Sequence, residues 1–120
     1  MLKDRFRYSD EDLKEFEQII LQKLASAEET VSQLLDSLES SKEQASSTIN
    51  KVDDYTDFAE KEYLYAMISR QEEFIYNLNE ALIRIKNKSY GVCRKTGKLI
   101  DKRRLILVPH TTLSLEAKSR

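Results

Sequence analysis

The sequence is poor in the residues that interrupt or crosslink a chain. Its 120 residues include two glycines, one proline, one cysteine and no tryptophan. So few glycines and prolines disfavour architectures with many tight turns and favour long, uninterrupted elements. A single cysteine excludes an internal disulfide framework. A chain of this length is expected to form one small domain. The sequence shows neither an apolar run long enough to span a membrane nor a signal peptide, so we expect the protein in the cytoplasm.

Charge is divided unevenly along the chain. The formal net charge is only −1, yet residues 1–89 carry 12 Lys and Arg against 19 Asp and Glu, whereas residues 90–120 carry 8 against 2. A division of this kind predicts two surfaces that meet different partners. We place the boundary between two predicted regions at this point, after residue 89.

The first region opens with a strong helix signal. Ser9 is a good N-cap, and Asp12 follows three residues later, where an acidic side chain suits the positive end of a helix dipole. Apolar residues then recur at steps of three or four, which is the spacing of a coiled-coil seam. The members of this first seam are Leu13, Phe16, Ile20, Leu24, Ala27, Val31, Leu34 and Leu38.

Polar residues interrupt this pattern and a second seam follows them. Turn-forming residues are Asn50, Asp53, Asp54, Thr56 and Asp57, of which the last is also a candidate N-cap. The second helix is expected to end near residue 88. Two seams joined by a short polar turn predict an antiparallel hairpin with an acidic tip near residues 50–58. The second seam comprises Ala59, Tyr63, Met67, Phe74, Leu78, Leu82 and Ile85, with Arg70 in the same phase.

The second region, residues 90–120, has the spacing of a zinc finger without its ligands. Cys93, Thr96, Ser114 and Ala117 occupy the positions of a four-ligand frame. Structural zinc takes thiolate or imidazole ligands, whereas hydroxyls are poor ligands and a methyl group is none. We therefore expect no zinc here. We expect instead a small hydrophobic core that packs against the helix ends, formed by Leu99, Ile100, Leu105, Ile106, Leu107, Val108, Leu113 and Leu115.

Two motifs resemble the DksA/TraR family of transcription regulators. The C-terminal signature of that family is matched at Tyr90, Gly91, Cys93, Gly97, Ile100, Arg104, Leu105 and Pro109. The tip motif Asp-x2-Asp-x-Ala is matched at Asp54, Asp57 and Ala59. The two matches bracket the predicted second helix, so the resemblance extends over most of the chain. It implies a mainly α fold, a long two-helix coiled-coil hairpin that carries a small zinc-finger-like globule, here without metal.

The resemblance also implies a function. Members of the family insert the tip of the hairpin into the secondary channel of bacterial RNA polymerase, near the catalytic magnesium, and modulate promoter complexes in the stringent response. Asp54, Asp57 and Ala59 would then be the tip residues that act on polymerase, and Arg70 would help to dock the hairpin. On composition alone, the acidic residues of the tip need no role beyond turn and cap chemistry.

A cluster of basic residues predicts a cationic finger surface. The family pattern has basic residues for the alarmone ppGpp at the positions of Asn77 and Val108, and retains one at Lys118, so the sequence leaves ppGpp dependence undecided. Aromatic interleaving and a recognition helix are both missing, so we expect no direct sequence-specific binding of nucleic acid. The basic residues are Arg94, Lys95, Lys98, Lys102, Arg103 and Arg104.

Other classes of function are less well supported. The only histidine, the only cysteine and the serines form no catalytic motif, and there is no phosphate-binding loop, so we do not expect an enzyme. The alternative to a polymerase regulator is a coiled-coil adaptor or structural interaction protein unrelated to polymerase. An adaptor needs long exposed seams, whereas the two seams here are wide enough to cover each other. We therefore expect a monomer.

Overall fold

Two long helices dominate the computed structural model, which describes residues 7–47 and 51–118, with side chains for residues 7–40 and 57–118. Within these residues the helices are α1 (Asp10–Ser47), α2 (Lys51–Lys86), α3 (Lys102–Leu107) and α4 (Leu115–Lys118). The one strand-like pairing in the described part is an antiparallel bridge between Val92 and Leu99. The predicted mainly α class with two long helices is confirmed. None of the helices in the described residues is long and apolar enough to cross a membrane.

Helix α1 begins where its capping residue predicts. The backbone N–H of Asp12 donates to Ser9 Oγ at 3.1 Å, and the N–H of Leu13 donates to the Ser9 carbonyl at 2.9 Å. These bonds satisfy N–H groups that have no partner inside the first turn of a helix. The first turn is acidic throughout, which suits the positive end of the helix dipole. Ser9 is therefore confirmed as the N-cap.

The first predicted seam is the buried face of α1. Six of its members are buried, from Leu13 to Leu38, and Val31 and Leu34 are half-buried. Phe16 and Ile20 are at most 2% exposed. The seam is narrow because a helix that meets one other helix buries one stripe and leaves its remaining surface to solvent.

Helix α2 begins earlier than predicted. It starts at Lys51, so Asp57 lies inside the helix and the prediction that it caps this helix is wrong. Asp53, Asp54 and Thr56 are likewise helical residues rather than turn residues. The predicted turn residue Asn50 lies outside the described residues. The turn propensity of these polar residues is a weak preference. Extending an existing helix by a few residues is more favourable, so they are helical here.

The second seam is displaced in the first half of α2. Tyr63 is 63% exposed and Ala59 is also exposed, whereas Leu64 and Ile68 are each only 8% exposed. A buried tyrosine needs a partner for its hydroxyl, so leucine and isoleucine one position away take the buried stripe. Arg70 is exposed and lies outside the stripe, which explains why it did not fit the predicted seam. The prediction holds again further along the helix, at the buried residues Leu78 and Ile85.

The chain forms two compact units. In the unit of residues 25–75, Leu38 of α1 and Leu64 and Ile68 of α2 form a buried cluster. In the unit of residues 1–24 and 76–120, the start of α1 lies beside the end of α2, because Lys88 Nζ donates to Asp10 Oδ1 at 2.7 Å. The two helices therefore run antiparallel there. The predicted boundary between regions after residue 89 stays a prediction.

The displaced seam yields a stability test. We expect Ile68→Ala to lower the free energy of unfolding by about 2–4 kcal/mol, because it removes buried methylene and methyl groups and leaves a cavity. Tyr63 belongs to the predicted seam but is exposed, so Tyr63→Ala should change the free energy of unfolding by no more than about 0.5 kcal/mol. Urea unfolding followed by circular dichroism measures both. A larger effect at Tyr63 than at Ile68 would contradict the observed register of α2.

Candidate functional site

Three aromatic rings connect residues 90–120, called the C-terminal segment from here on, to the first turns of α1. The ring centroids of Tyr8 and Phe16 are 5.2 Å apart at 74°, and those of Phe16 and Tyr90 are 5.2 Å apart at 50°. The Tyr90 hydroxyl donates to the Pro109 carbonyl at 2.8 Å, and the Tyr8 hydroxyl donates to the Ile100 carbonyl. Tyr90 is fully buried, and burial raises its pKa well above the ordinary value. It therefore stays a neutral donor.

The entry into the segment requires a glycine. Just after the end of α2, Lys88 lies in the left-handed region at φ 66°. The N–H of Tyr90 donates to the Arg84 carbonyl in the last turns of α2 at 3.2 Å. Gly91 follows at φ 80°. A Cβ atom at Gly91 would lie 2.6 Å from the ring of Tyr8, closer than carbon atoms can approach. The absence of a side chain at Gly91 therefore allows the Tyr8 ring to pack directly against the backbone at this position.

The four positions of the predicted finger frame are linked by hydrogen bonds. The N–H of Ser114 donates to Cys93 Sγ at 3.4 Å, and the N–H of Ala117 donates to Ser114 Oγ at 3.2 Å. A hydrogen bond from the Thr96 side chain, opposed by burial and supported by the backbone of Ser114, lowers the pKa of the Cys93 thiol to about 6. That these four positions correspond to a metal-ligand frame stays a prediction.

The residues of this frame do not fit zinc. One thiol, two hydroxyls and a methyl group do not supply the four thiolate or imidazole ligands that structural zinc takes. Among the described residues, no group of three or more His, Cys, Asp or Glu side chains is placed to hold a metal ion. The expectation that the segment works without zinc stays a prediction, and it is tested below.

Arg104 fastens the middle of the segment from inside. Its Nε donates to the Leu113 carbonyl at 3.0 Å and its Nη2 donates to Thr111 Oγ1 at 3.3 Å. The helix that carries it, α3, is capped by Asp101, whose carboxylate accepts the N–H of Arg103 at 2.8 Å. Sequence reasoning placed Arg104 on the basic surface and missed this inward role. The signal that could have indicated this role is that Arg104 matches the family signature and directly precedes the buried Leu105.

The predicted apolar core is smaller than expected. Ile100 and Leu105 are at most 1% exposed, and Leu99, Val108 and Leu113 are half-buried. The prediction is wrong for three residues: the six-residue helix α3 buries only the side that carries Leu105, so its last two residues stay exposed, and the first residue of α4 is exposed as well. The exposed fractions of these three are 47%, 78% and 66%, for Ile106, Leu107 and Leu115 respectively.

The six predicted basic residues do not form one uniform surface. Lys102 pairs with Asp12 of α1 at 3.0 Å, and Arg103 pairs with Asp101 at 3.4 Å. Exposed ion pairs of this kind contribute about 0–1 kcal/mol each. The residues in the loop before α3 are exposed to solvent: Arg94, Lys95 and Lys98.

A cavity of about 480 Å³ lies between the last turns of α2 and the C-terminal segment. It brings together Asn77, Val108 and Lys118, the three positions at which the family pattern predicts alarmone contacts. Sequence reasoning missed Arg84, which lies seven residues after Asn77 and hence on the same face of α2. Four basic side chains line the cavity against the single carboxylate of Glu80, namely Arg84, Arg94, Arg104 and Lys118.

Burial keeps the one histidine of this cavity neutral. His110 is half-buried, and burial lowers its pKa, with the positive charges of Arg84 and Lys118 acting in the same direction. The Nη2 group of Arg84 donates to the carbonyl of His110 at 3.4 Å. The cationic character of the cavity therefore comes from arginine and lysine and does not change near neutral pH.

The predicted tip residues all lie on α2. Asp57 is half-buried, and Ala59 and Arg70 are exposed. The side chain of Asp54 lies outside the described residues. The structure does not test whether these residues act on a partner, and their roles stay predictions.

Known proteins resemble this chain in part of its sequence and in its fold. Over 51 residues the chain is 41% identical to the RNA polymerase-binding transcription factor DksA of two strains of Caulobacter vibrioides, and this match covers 42% of the chain and 36% of that protein. It is 40% identical over 47 residues to general stress protein 16O of Bacillus subtilis, covering 39% of the chain and 29% of that protein. No family model matches the chain.

The fold likeness is more extensive. The structure of transcription factor DksA2 from Pseudomonas aeruginosa covers 90% of this chain, and the chain covers 81% of that one, with a TM-score of 0.82 and 24% identity. The chain therefore has a DksA-like fold. The sequence matches span only about a third of the length of the curated relatives, so the functions of those proteins come to this chain only as proposals.

The inward role of Arg104 is tested by comparison with its neighbour. We expect Arg104→Met to lower the free energy of unfolding of the protein by about 1–3 kcal/mol, because it removes the hydrogen bonds of a half-buried guanidinium to the Leu113 carbonyl and to Thr111 Oγ1. Arg103→Met should change it by less than about 0.5 kcal/mol, because that side chain is 89% exposed. Thermal unfolding of the two variants measures the difference in stability, and equal effects would contradict the inward role of Arg104.

The zinc-free frame makes a second prediction. We expect the melting temperature of the protein to stay within about 1 °C when a metal chelator is added, because without a bound ion the chelator removes nothing that contributes to folding. Elemental analysis of the purified protein should find far less than one zinc ion per chain. A drop of more than about 5 °C with chelator, together with stoichiometric zinc, would show that the frame holds metal after all.

Proposed function

We propose that the chain is a transcription regulator that binds bacterial RNA polymerase. The main support is one combination of findings: a DksA-like fold over 90% of the chain, and 41% identity across 51 residues to a protein named for binding RNA polymerase. Neither finding has this weight alone, because a fold is shared by unrelated functions and a short match covers only part of a protein.

In this proposal α2 carries the active surface. Asp54, Asp57 and Ala59 lie within the first nine residues of the helix, at the end where its acidic residues are concentrated. The stretch enters the secondary channel of polymerase, where carboxylates act at close range on the catalytic magnesium and the mobile elements around it. Arg70, which is exposed on the same helix, contacts the rim of the channel.

The regulator performs no chemical step of its own. It binds some states of the polymerase–promoter complex more tightly than others and so shifts their populations. Ribosomal-RNA-type promoters in the stringent response are the targets that the family resemblance implies. Alarmone dependence is not part of the proposal, because Asn77 and Val108 are neutral at two of the three positions that the family uses, although arginines keep the cavity cationic.

The packing of the helices disfavours the alternative of a coiled-coil adaptor. An adaptor needs an exposed seam for its partner helix, whereas the seam residues of α1 are buried or half-buried throughout. Those of α2 that lie on the actual stripe, including Leu64, Ile68 and Leu78, are buried too. These observations support a chain whose two long helices satisfy each other.

Two acidic residues provide the decisive test. We expect the wild type to bind purified RNA polymerase and to change transcription from a ribosomal-RNA-type promoter. The Asp54→Asn/Asp57→Asn variant should bind within about threefold of wild type but lose most of this effect, because it keeps the shape and removes the charge that acts in the channel. Binding is followed by fluorescence anisotropy of labelled protein, and transcription by a single-round assay.

The matched control uses two exposed acids further along the same helix. Glu72→Gln/Glu73→Gln removes the same charge and should behave as wild type in both assays. If this control loses activity equally, the effect is one of overall charge and the tip has no special role. If the wild type does not bind polymerase at all, the proposed function is wrong.

A further inference from the structure

Two aromatic side chains in the first half of α2 are exposed on one face of the helix. Phe58 is 67% exposed and Tyr65 is 50% exposed. They are seven residues apart, which is about two helical turns, so they lie on the same face. Glu62 lies between them, four residues after Phe58 and three before Tyr65, and is exposed as well. These three residues are called the aromatic–acid triad below.

The register of α2 keeps the triad in solvent. Tyr65 directly follows Leu64, which is buried in a cluster with Leu38 of α1. Ile68 belongs to the same cluster and fixes the same register one turn later. Successive residues of an α-helix are about 100° apart, so a helix that buries Leu64 and Ile68 turns Tyr65 away from this cluster. The exposure of the triad therefore follows from the packing of the helix.

All three side chains of the triad attract positive charge. The face of an aromatic ring carries negative potential, and Glu62 adds a carboxylate. Residues three or four apart on a helix have Cβ atoms about 5–6 Å apart, so the carboxylate has a ring on each side. Among the described residues, no ion pair includes Glu62, and neither ring of the triad contacts another ring. Exposed negative potential of this kind is suited to a cation from outside the chain.

The cation nearest to the triad in sequence is Lys61. It is three residues after Phe58 and four before Tyr65, so it borders the triad on the side of the helix that is half-buried. Lys61 takes part in no ion pair within the part of the chain that the structure describes. Its ammonium group is close enough to compete with an incoming cation. Its removal should therefore favour such a cation, and this gives the test below its sign.

The chemistry of the triad favours a guanidinium group. The N–H groups of an arginine pair with a carboxylate, while its flat faces lie against aromatic rings. A lysine ammonium is a compact charge without a flat face, so it uses the rings less well. Residues 57–62 carry three acids against one lysine, which repels the phosphates of nucleic acid and of anionic lipid. An arginine side chain of a protein meets all these conditions.

We propose that the aromatic–acid triad binds an arginine side chain of RNA polymerase. The inference rests on the proposed function and deepens it, because Phe58 directly follows Asp57 in the sequence. A chain that places Asp57 in the secondary channel brings the triad to the channel with it. The triad contributes affinity by holding one cationic side chain, whereas Asp54 and Asp57 contribute the effect on transcription.

Opposite changes of charge at neighbouring positions test the site. Glu62→Gln should weaken binding to purified RNA polymerase about threefold to thirtyfold, because the arginine loses its carboxylate partner. Lys61→Gln should leave the affinity unchanged or raise it by up to about threefold, because it removes a competing cation. Glu60→Gln is the matched control, since Glu60 is an exposed acid of the same turn on a different face. It should bind within about twofold of wild type.

The two rings are tested separately from the charge. Phe58→Ala/Tyr65→Ala should weaken polymerase binding about tenfold, because the guanidinium loses the rings that flank it. Tyr63→Ala is the matched control, because that ring is 63% exposed on another face of the helix, and it should bind within about twofold. Glu62→Gln should cost less in the double ring variant than in the wild type, because the three side chains hold one group.

Stability and the identity of the bound group are checked in parallel. Circular dichroism melts of all variants should match the wild type, and Tyr65→Ala alone replaces the double ring variant if the latter melts early. A photoreactive benzoylphenylalanine in place of Tyr65 should crosslink to a polymerase segment that contains an arginine. Replacing that arginine by methionine should weaken binding of the wild type about tenfold and barely change that of Glu62→Gln. A crosslink to a segment without arginine would contradict the proposal.

The possible outcomes separate the two proposals. If the wild type does not bind polymerase, the proposed function fails and the triad inference falls with it. If the wild type binds and neither Glu62→Gln nor the double ring variant weakens binding, the triad inference alone is wrong. It is also wrong if Lys61→Gln weakens binding as much as Glu62→Gln does. A wild-type dimer in light scattering that Glu62→Gln dissociates would overturn it as well, because the arginine would then belong to a second copy of the chain.

Discussion

The contact between Phe16 of α1 and Tyr90 after α2 is the constraint on which the C-terminal segment depends. Tyr90 is fully buried, and its hydroxyl donates to the carbonyl of Pro109, so one side chain joins the helices to the start and the middle of the segment. The adjacent Gly91 leaves room for the ring of Tyr8. The cationic cavity is positioned by these contacts, since residues of α2 and of the C-terminal segment line it together.

The contacts inside the segment are the ones that would hold its fold if, as predicted, it binds no metal ion. The positions of the ligand frame are bridged by hydrogen bonds between Cys93, Thr96 and Ser114, and Arg104 ties α3 to the following loop. A metal concentrates its stabilisation at one point, whereas these contacts are spread over many residues. Apolar burial at Ile100 and Leu105 supplies the non-directional part of the stabilisation.

The charge division along the chain acquires a meaning in the proposed function. The acidic residues near the start of α2 are suited to a cation-bearing channel, while the basic C-terminal segment is suited to the acidic outer surface of a partner. Only a difference in affinity between the states of the target shifts their populations, so in this proposal at least one of the two surfaces must distinguish between those states.

The sequence by itself determined the two long helices, the Ser9 cap, the buried face of α1 and the loss of the zinc ligands. These are local properties, because helix periodicity, capping and ligand chemistry depend on residue type and spacing alone. Tertiary structure decided the shift of the α2 stripe to Leu64 and Ile68, the inward turn of Arg104 and the exposure of Leu107. Each of these is a competition between neighbouring side chains for one buried position, and its outcome depends on which surface the rest of the fold presents to them. The same holds for the cavity, whose residues lie far apart in sequence and meet only because Tyr90 folds the segment back onto the helices.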